Sequence, residues 1–190
     1  LSDDAEYMVA GTYGIHLYDT NATTGTVDVQ LLWSFTQLWV YDNQLDISSD
    51  GQYILICSDN SERLVVFSKD SNSPLWTSEI HCDEAKFSAD GQYITAIDRQ
   101  YDMVYKYHIS SSSPLFSFSV MDPYGVDISD DGYVVAVQGY DNELSTDYFV
   151  SLYHGNSHTR TIMKDDLHQV NNMKLSADGS CAARPSDWSL

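Results

Sequence analysis

The residues able to do chemistry in this chain gather in short polar stretches between apolar ones. One set comprises "TQLWVYDNQ" (36–44), "HCDE" (81–84), "MDPYG" (121–125) and "DDLHQVNN" (165–172). A second comprises Tyr13, "DNSER" (59–63), "RQYD" (99–102) and "GYDNELSTD" (139–147). Together they carry Trp39, Tyr41, Tyr101, Tyr124 and Tyr140, with Arg63 and Arg99 among the few cations. Tyr, Trp and Arg concentrate binding energy because they are large, stiff and apolar with one polar end. These seven residues are therefore the expected partner-binding set, with Trp39, Tyr101 and Tyr124 as anchors and Arg63 and Arg99 as polar contacts. The competing reading is that the aromatics only cover strand ends.

Metal and catalytic chemistry find less support. "DISSDG" (46–51) and "DISDDG" (127–132) match the opening of a calcium loop, but the downstream Glu is missing. Sister copies of the segment carry Lys86 and Lys174 where these carry Asp46 and Asp127, and a lysine would repel a cation. His81, Cys82 and His168 are soft ligands with no fixed spacing. No G-x-S-x-G, H-E-x-x-H or P-loop is present. The expectation is no metal, no cofactor and no enzymatic activity.

The elements that hold these stretches announce themselves by repetition. "ISSDGQYI" (47–54) returns as "FSADGQYI" (87–94), "ISDDGYVV" (128–135) and "LSADGSCA" (175–182), and "LSDDAEYM" (1–8) is an eroded fifth copy. The second Asp of each copy, at Asp4, Asp50, Asp90, Asp131 and Asp178, recurs at intervals of 46, 40, 41 and 47. A period of about 40–45 residues filled with short strands predicts four-stranded blades of a β-propeller. In the cleanest unit the predicted strands are 44–48, 52–58, 63–69 and 74–80, with "SDG" as the first turn. "ILI" and "LVVF" are apolar on both faces, which suits a sheet covered on each side by another. One blade cannot bury both faces alone, so it must be repeated.

The fold expected is all-β, with about four blades in residues 1–183: units of about 1–45, 46–85, 86–126 and 127–173, and the start of a fifth at 174–183. The segment 184–190 is a tail. "DGSCAA" (178–183) repeats a hairpin already present at residues 3 to 10, and two copies cannot fill one slot. Half of an eight-bladed ring, or a piece of a larger one, follows. Asp46, Lys86, Asp127 and Lys174 occupy one position of successive inner strands. Charges alternating in this way would pair around a central channel, and a closed ring alternates only with an even number of blades.

The repeat "SxDGxYI…D…VYxY/VVF…SxxPLW" resembles WD-repeat-like and PQQ-like propeller repeats of archaeal and bacterial type, and "LYDTNATTGTVDVQLLWSF" (17–35) resembles the PQQ-type turn. The resemblance implies a propeller and little about chemistry, since propellers serve many functions. It also implies an alternative reading as a fragment of a PQQ-dependent dehydrogenase.

Bulk properties narrow the partners. There are 28 acidic residues against 9 Lys and Arg, a formal charge of -19. Nucleic acid and anionic membrane surfaces are disfavoured, because both need clustered cations. No apolar run reaches the length of a membrane span. Much of the acid is Asp in turn segments, where it bonds the local backbone. Cys57, Cys82 and Cys181 are odd in number and widely spaced, so no disulfide framework is predicted and the compartment stays open. A sequon at residues 21–23 is compatible with the extracellular or cell-surface setting expected. The function expected is a non-catalytic scaffold that binds a protein or glycan through its loop face. A further alternative is a self-assembling surface or filament component, as a homodimer or larger assembly.

Overall fold

The computed structural model describes residues 1–11, 13–20, 29–40, 44–58, 63–141, 147–157, 160–167 and 173–183. The described residues form strands and turns without a helix. The first sheet runs β1 (Tyr7–Gly11), β2 (Ile15–Asp19), β3 (Gln30–Phe35). The second runs β4 (Leu45–Ile47), β5 (Tyr53–Ser58), β6 (Arg63–Ser68), β7 (Pro74–Ser78). The third comprises β8 (Glu84–Phe87), β9 (Tyr93–Asp98), β10 (Met103–His108) and β11 (Phe116–Ser119). The fourth comprises β12 (Pro123–Ile128), β13 (Val134–Asp141), β14 (Asp147–His154) and β15 (Arg160–Leu167). A final pair, β16 (Lys174–Leu175) and β17 (Ala182–Ala183), begins a fifth unit. Every pairing is antiparallel between sequence neighbours, the pattern short hairpin turns permit.

The core lies between the sheets. Side chains alternate across a strand, so β5 and β6 each serve two neighbours. Ile54, Ile56, Val65 and Phe67 pack with Ile15 and Leu17 of the first sheet. Leu55, Cys57, Leu64 and Val66 pack with Ala85, Phe87, Ile94 and Tyr107 of the third. The third meets the fourth through Ile97, Val104 and Phe118 against Val126, Val135, Val137 and Tyr153. Val134, Ala136 and Val150 continue the series to Met173 and Leu175. The doubly apolar runs in the sequence are thus doubly buried strands.

The repeated phrase closes one turn five times. In the second unit Ser48 Oγ donates to Asp50 Oδ1 at 2.7 Å, the Gln52 N–H donates to the same carboxylate, and the Tyr53 N–H donates to Ser48 Oγ. The same bonds recur from Ser2, Ser88, Ser129 and Ser176. Bonds to the ionised form hold the carboxyls of Asp4, Asp131 and Asp178 below the usual range, Asp178 at about 2. The glycine meets two needs. Gly132 has φ +70°, and a methyl there would lie 2.3 Å from the Tyr93 ring of the preceding blade. Gly51 meets Tyr7 in the same way, at 2.5 Å. At these two turns the glycine lets the backbone sit on the aromatic ring of the blade before it.

Outer strands are tied across the same seams. Trp33 Nε1–H donates to the Lys69 carbonyl at 2.6 Å, and Trp76 Nε1–H to the Ile109 carbonyl at 2.7 Å. Tyr107 and Ser78 share a buried hydroxyl bond at 3.0 Å.

One expectation is corrected here. Cys57, at the end of β5, forms a disulfide with Cys82 in the connection to β8, with Cα atoms 5.0 Å apart. Cys181 is free and exposed. Twenty-five residues separate the bonded pair, and only the stacking of one blade on the next brings them together. Spacing alone does not show it.

Candidate functional site

Tyr13, in the connection after β1, meets Trp39, in the connection after β3, and the turn after β9 contacts the connections after β7 and β11. In the first unit Tyr13 and Trp39 form an edge-to-face pair with ring centroids 5.8 Å apart. Both are presented to solvent, Tyr13 at 77% and Trp39 at 47% exposed. Tyr101 stands 65% exposed in the turn after β9, whose backbone is anchored where the Tyr101 N–H donates to Asp98 Oδ1 at 3.0 Å. Gln100 Nε2 donates to the Tyr101 hydroxyl at 3.3 Å.

The two arginines are exposed and tethered. Arg63 Nη2 lies 2.8 Å from Glu79 Oε2, and Arg99 Nη2 lies 3.6 Å from Asp122 Oδ1. The Asp122 N–H donates to Asp102 Oδ1 at 2.9 Å, which clasps the two loops of the third and fourth units together. Asp102 and Asp122 hold left-handed backbone, φ 55° and 38°, which Asp tolerates better than most residues.

The other expected residues are placed differently. Tyr124 and Tyr140 are half-buried and not loop residues: Tyr124 lies on β12, which starts at Pro123, and Tyr140 on β13, whose hairpin with β14 extends to strands of 8 residues. Tyr41, His168, the sequon at 21–23 and the tail at 184–190 with Pro185 lie outside the described residues.

The alternating charges all sit on inner strands: Asp46 on β4, Lys86 on β8, Asp127 on β12 and Lys174 on β16. Each Asp bonds chiefly to backbone. Asp46 Oδ2 accepts from the Phe87 N–H at 3.0 Å and Asp127 Oδ2 from the Leu175 N–H at 2.7 Å, joining each inner strand to the next. Lys174 Nζ lies 4.0 Å from Asp127 Oδ1, while Lys86 Nζ lies 3.9 Å from Glu84 Oε1 on its own strand. Burial pushes the Glu84 carboxyl up to about 7, against the pull of Lys86. Burial likewise raises Asp46. Sequence reasoning missed Glu84, although Glu two residues before Lys on one strand is a same-face pair.

It also missed a cluster at the seam of the second and third units. His81 Nδ1 lies 3.1 Å from Asp83 Oδ2 and 3.9 Å from Asp98 Oδ1. Asp83 Oδ2 also accepts the Arg99 N–H at 2.7 Å, and the Asp83 N–H donates to the Ile97 carbonyl at 3.0 Å. Burial raises the Asp98 carboxyl, opposed by the Tyr101 N–H bond and by His81. Cys82, a soft ligand type beside His81 in the sequence, is consumed by the disulfide. "His-x-Asp" was legible in the loop, but Asp98 joins it only through the fold.

No family model matches the chain, and no curated protein matches it. Solved structures do. A chain of hydrazine synthase from Kuenenia stuttgartiensis superposes with a TM-score of 0.71 at 14% identity, covering 99% of this chain and 55% of that one. A chain of the mitotic checkpoint complex gives 0.71 at 11% identity, covering 96% and 58%. A eukaryotic initiation factor gives 0.65 at 13%, covering 93% and 45%. The chain has a β-propeller-type fold of about four blades. It spans about half the length of each of these chains, and at such identities the likeness establishes fold alone.

Proposed function

We propose that the protein is a non-catalytic display scaffold that holds a protein or glycan partner against its loop end. The observation that carries this is the exposed Tyr13–Trp39 pair at the same end of the blades as exposed Tyr101 and Arg99. Each aromatic loop is anchored to rigid strands, so little ordering entropy is lost when a partner docks. The exposed ring faces of Trp39 and Tyr101 suit both the apolar face of a sugar ring and the centre of a protein interface.

The test is a screen of immobilised neutral oligosaccharides, with quantitative affinity enrichment for protein partners beside it. Trp39→Ala and Tyr101→Ala should each weaken capture at least tenfold while circular dichroism stays unchanged. Capture that survives both substitutions rejects the assignment.

A second reading, self-assembly, is favoured by a separate observation. Val29 and Leu31 expose apolar side chains on the first unit, just before β3 and on it. A further blade, from a second copy or a longer chain, would cover them.

A further inference from the structure

We propose that His81, Asp83 and Asp98 form a binding site for one divalent first-row transition-metal ion at the seam between the second and third blades. This goes beyond the display reading and is independent of it.

The geometry is that of a ligand set. One atom from each residue lies within 4.8 Å of the other two, with His81 Nδ1 at 3.1 and 3.9 Å from the carboxylates. Ligands bound at about 2.0–2.2 Å in tetrahedral array stand roughly 3.4 Å apart, so an ion would require shifts of under about 1 Å. An imidazole with two carboxylates suits zinc, manganese or iron better than calcium, which takes oxygen alone.

Charge points the same way. Two carboxylates converge here, and the Asp98 side chain is only 2% exposed. Among the described residues, His81 is the ion-pair partner of both, and no Lys or Arg is paired with either. The neighbouring Arg99 directs its guanidinium to Asp122 instead. A divalent ion on a neutral imidazole and two carboxylates would give a neutral site where burial disfavours net charge.

The supporting shell is also in place. The disulfide at Cys82 pins the residue between His81 and Asp83 to the end of β5. The Asp83 N–H bond to Ile97 holds that loop against β9, which ends at Asp98. Backbone N–H groups of Arg99 and Tyr101 orient the two carboxylates without occupying every lone pair. Three protein ligands leave a position for water or for an oxygen atom of a ligand.

The decisive measurement is calorimetric titration of the full, EDTA-stripped chain with Zn²⁺, in salt high enough to screen its diffuse negative charge. One saturable equivalent is expected, and His81→Ala and Asp98→Asn should each weaken it at least tenfold. Asp70→Asn, which removes an exposed carboxylate in the turn at the opposite end of β7 from the cluster, should leave it unchanged. Co²⁺ should show visible bands that disappear in His81→Ala. If Asp98→Asn does not fold, Asp83→Asn takes its place. Absence of a saturable equivalent, or equal binding by folded variants and the parent, overturns the proposal.

Discussion

Glu84 shows how one side chain on an inner strand couples charge to folding. Its folded carboxyl is raised to about 7 from 4.5, first by burial and then by the acids on adjacent inner strands. Below the unfolded value the group is neutral in both states and costs nothing. As pH rises from about 4.5 to 7 the unfolded chain releases the proton that the fold retains, so stability falls across that window and is level above it. Glu84→Gln, which mimics the neutral acid, should match the parent in urea denaturation at pH 4. It should exceed the parent by about 2–3 kcal/mol at pH 8. An equal midpoint at both pH values would show that Lys86 and solvent already accommodate the charge. Asp4, Asp131 and Asp178 shift oppositely: local Ser and backbone donors hold these carboxyls below the usual range. Local bonds are readable from spacing, whereas the burial of Glu84 depends on strands forty residues away.

At the level of elements, the seam between the second and third sheets carries the disulfide, the Trp76 bond and the His81 cluster together. Replacing Cys57 and Cys82 jointly with Ala should lower unfolding free energy by about 3 kcal/mol, the value expected for freeing a loop of this length in the unfolded chain. Equilibrium denaturation checks this, and a difference below roughly 0.5 kcal/mol would make the bond incidental. Strand positions were legible to within a residue or two, because the Ser-x-Asp-Gly turn marks each hairpin and the apolar runs mark each strand. The extension of β13 and β14, which withdraws Tyr140 from the loop, was not. Its residues are polar and read as a turn until their pairing across the hairpin is seen.

For the molecule as a whole, the issue is what covers the first unit. Every sheet from the second to the fourth has a packed neighbour on both sides, while Val29 and Leu31 of the first remain in contact with water. Burying both side chains would be worth several kcal/mol, roughly 1.5–3 each when fully covered. Light scattering should therefore give a mass above that of one 21.4 kDa chain, rising with concentration, and Leu31→Glu should return it to the single-chain value. A single-chain mass for the parent at all concentrations would sink the self-assembly reading.

The sequence by itself determined the blade unit, since turn chemistry and alternating apolar residues are local properties that a period of about forty residues displays openly. It also placed the exposed aromatics of the loop end at Trp39 and Tyr101. Only the tertiary structure decided that Cys57 meets Cys82, that Asp98 joins His81 and Asp83, and that Glu84 is desolvated. These depend on which blade faces which at ångström scale, and no local spacing encodes a distance between residues held by different sheets.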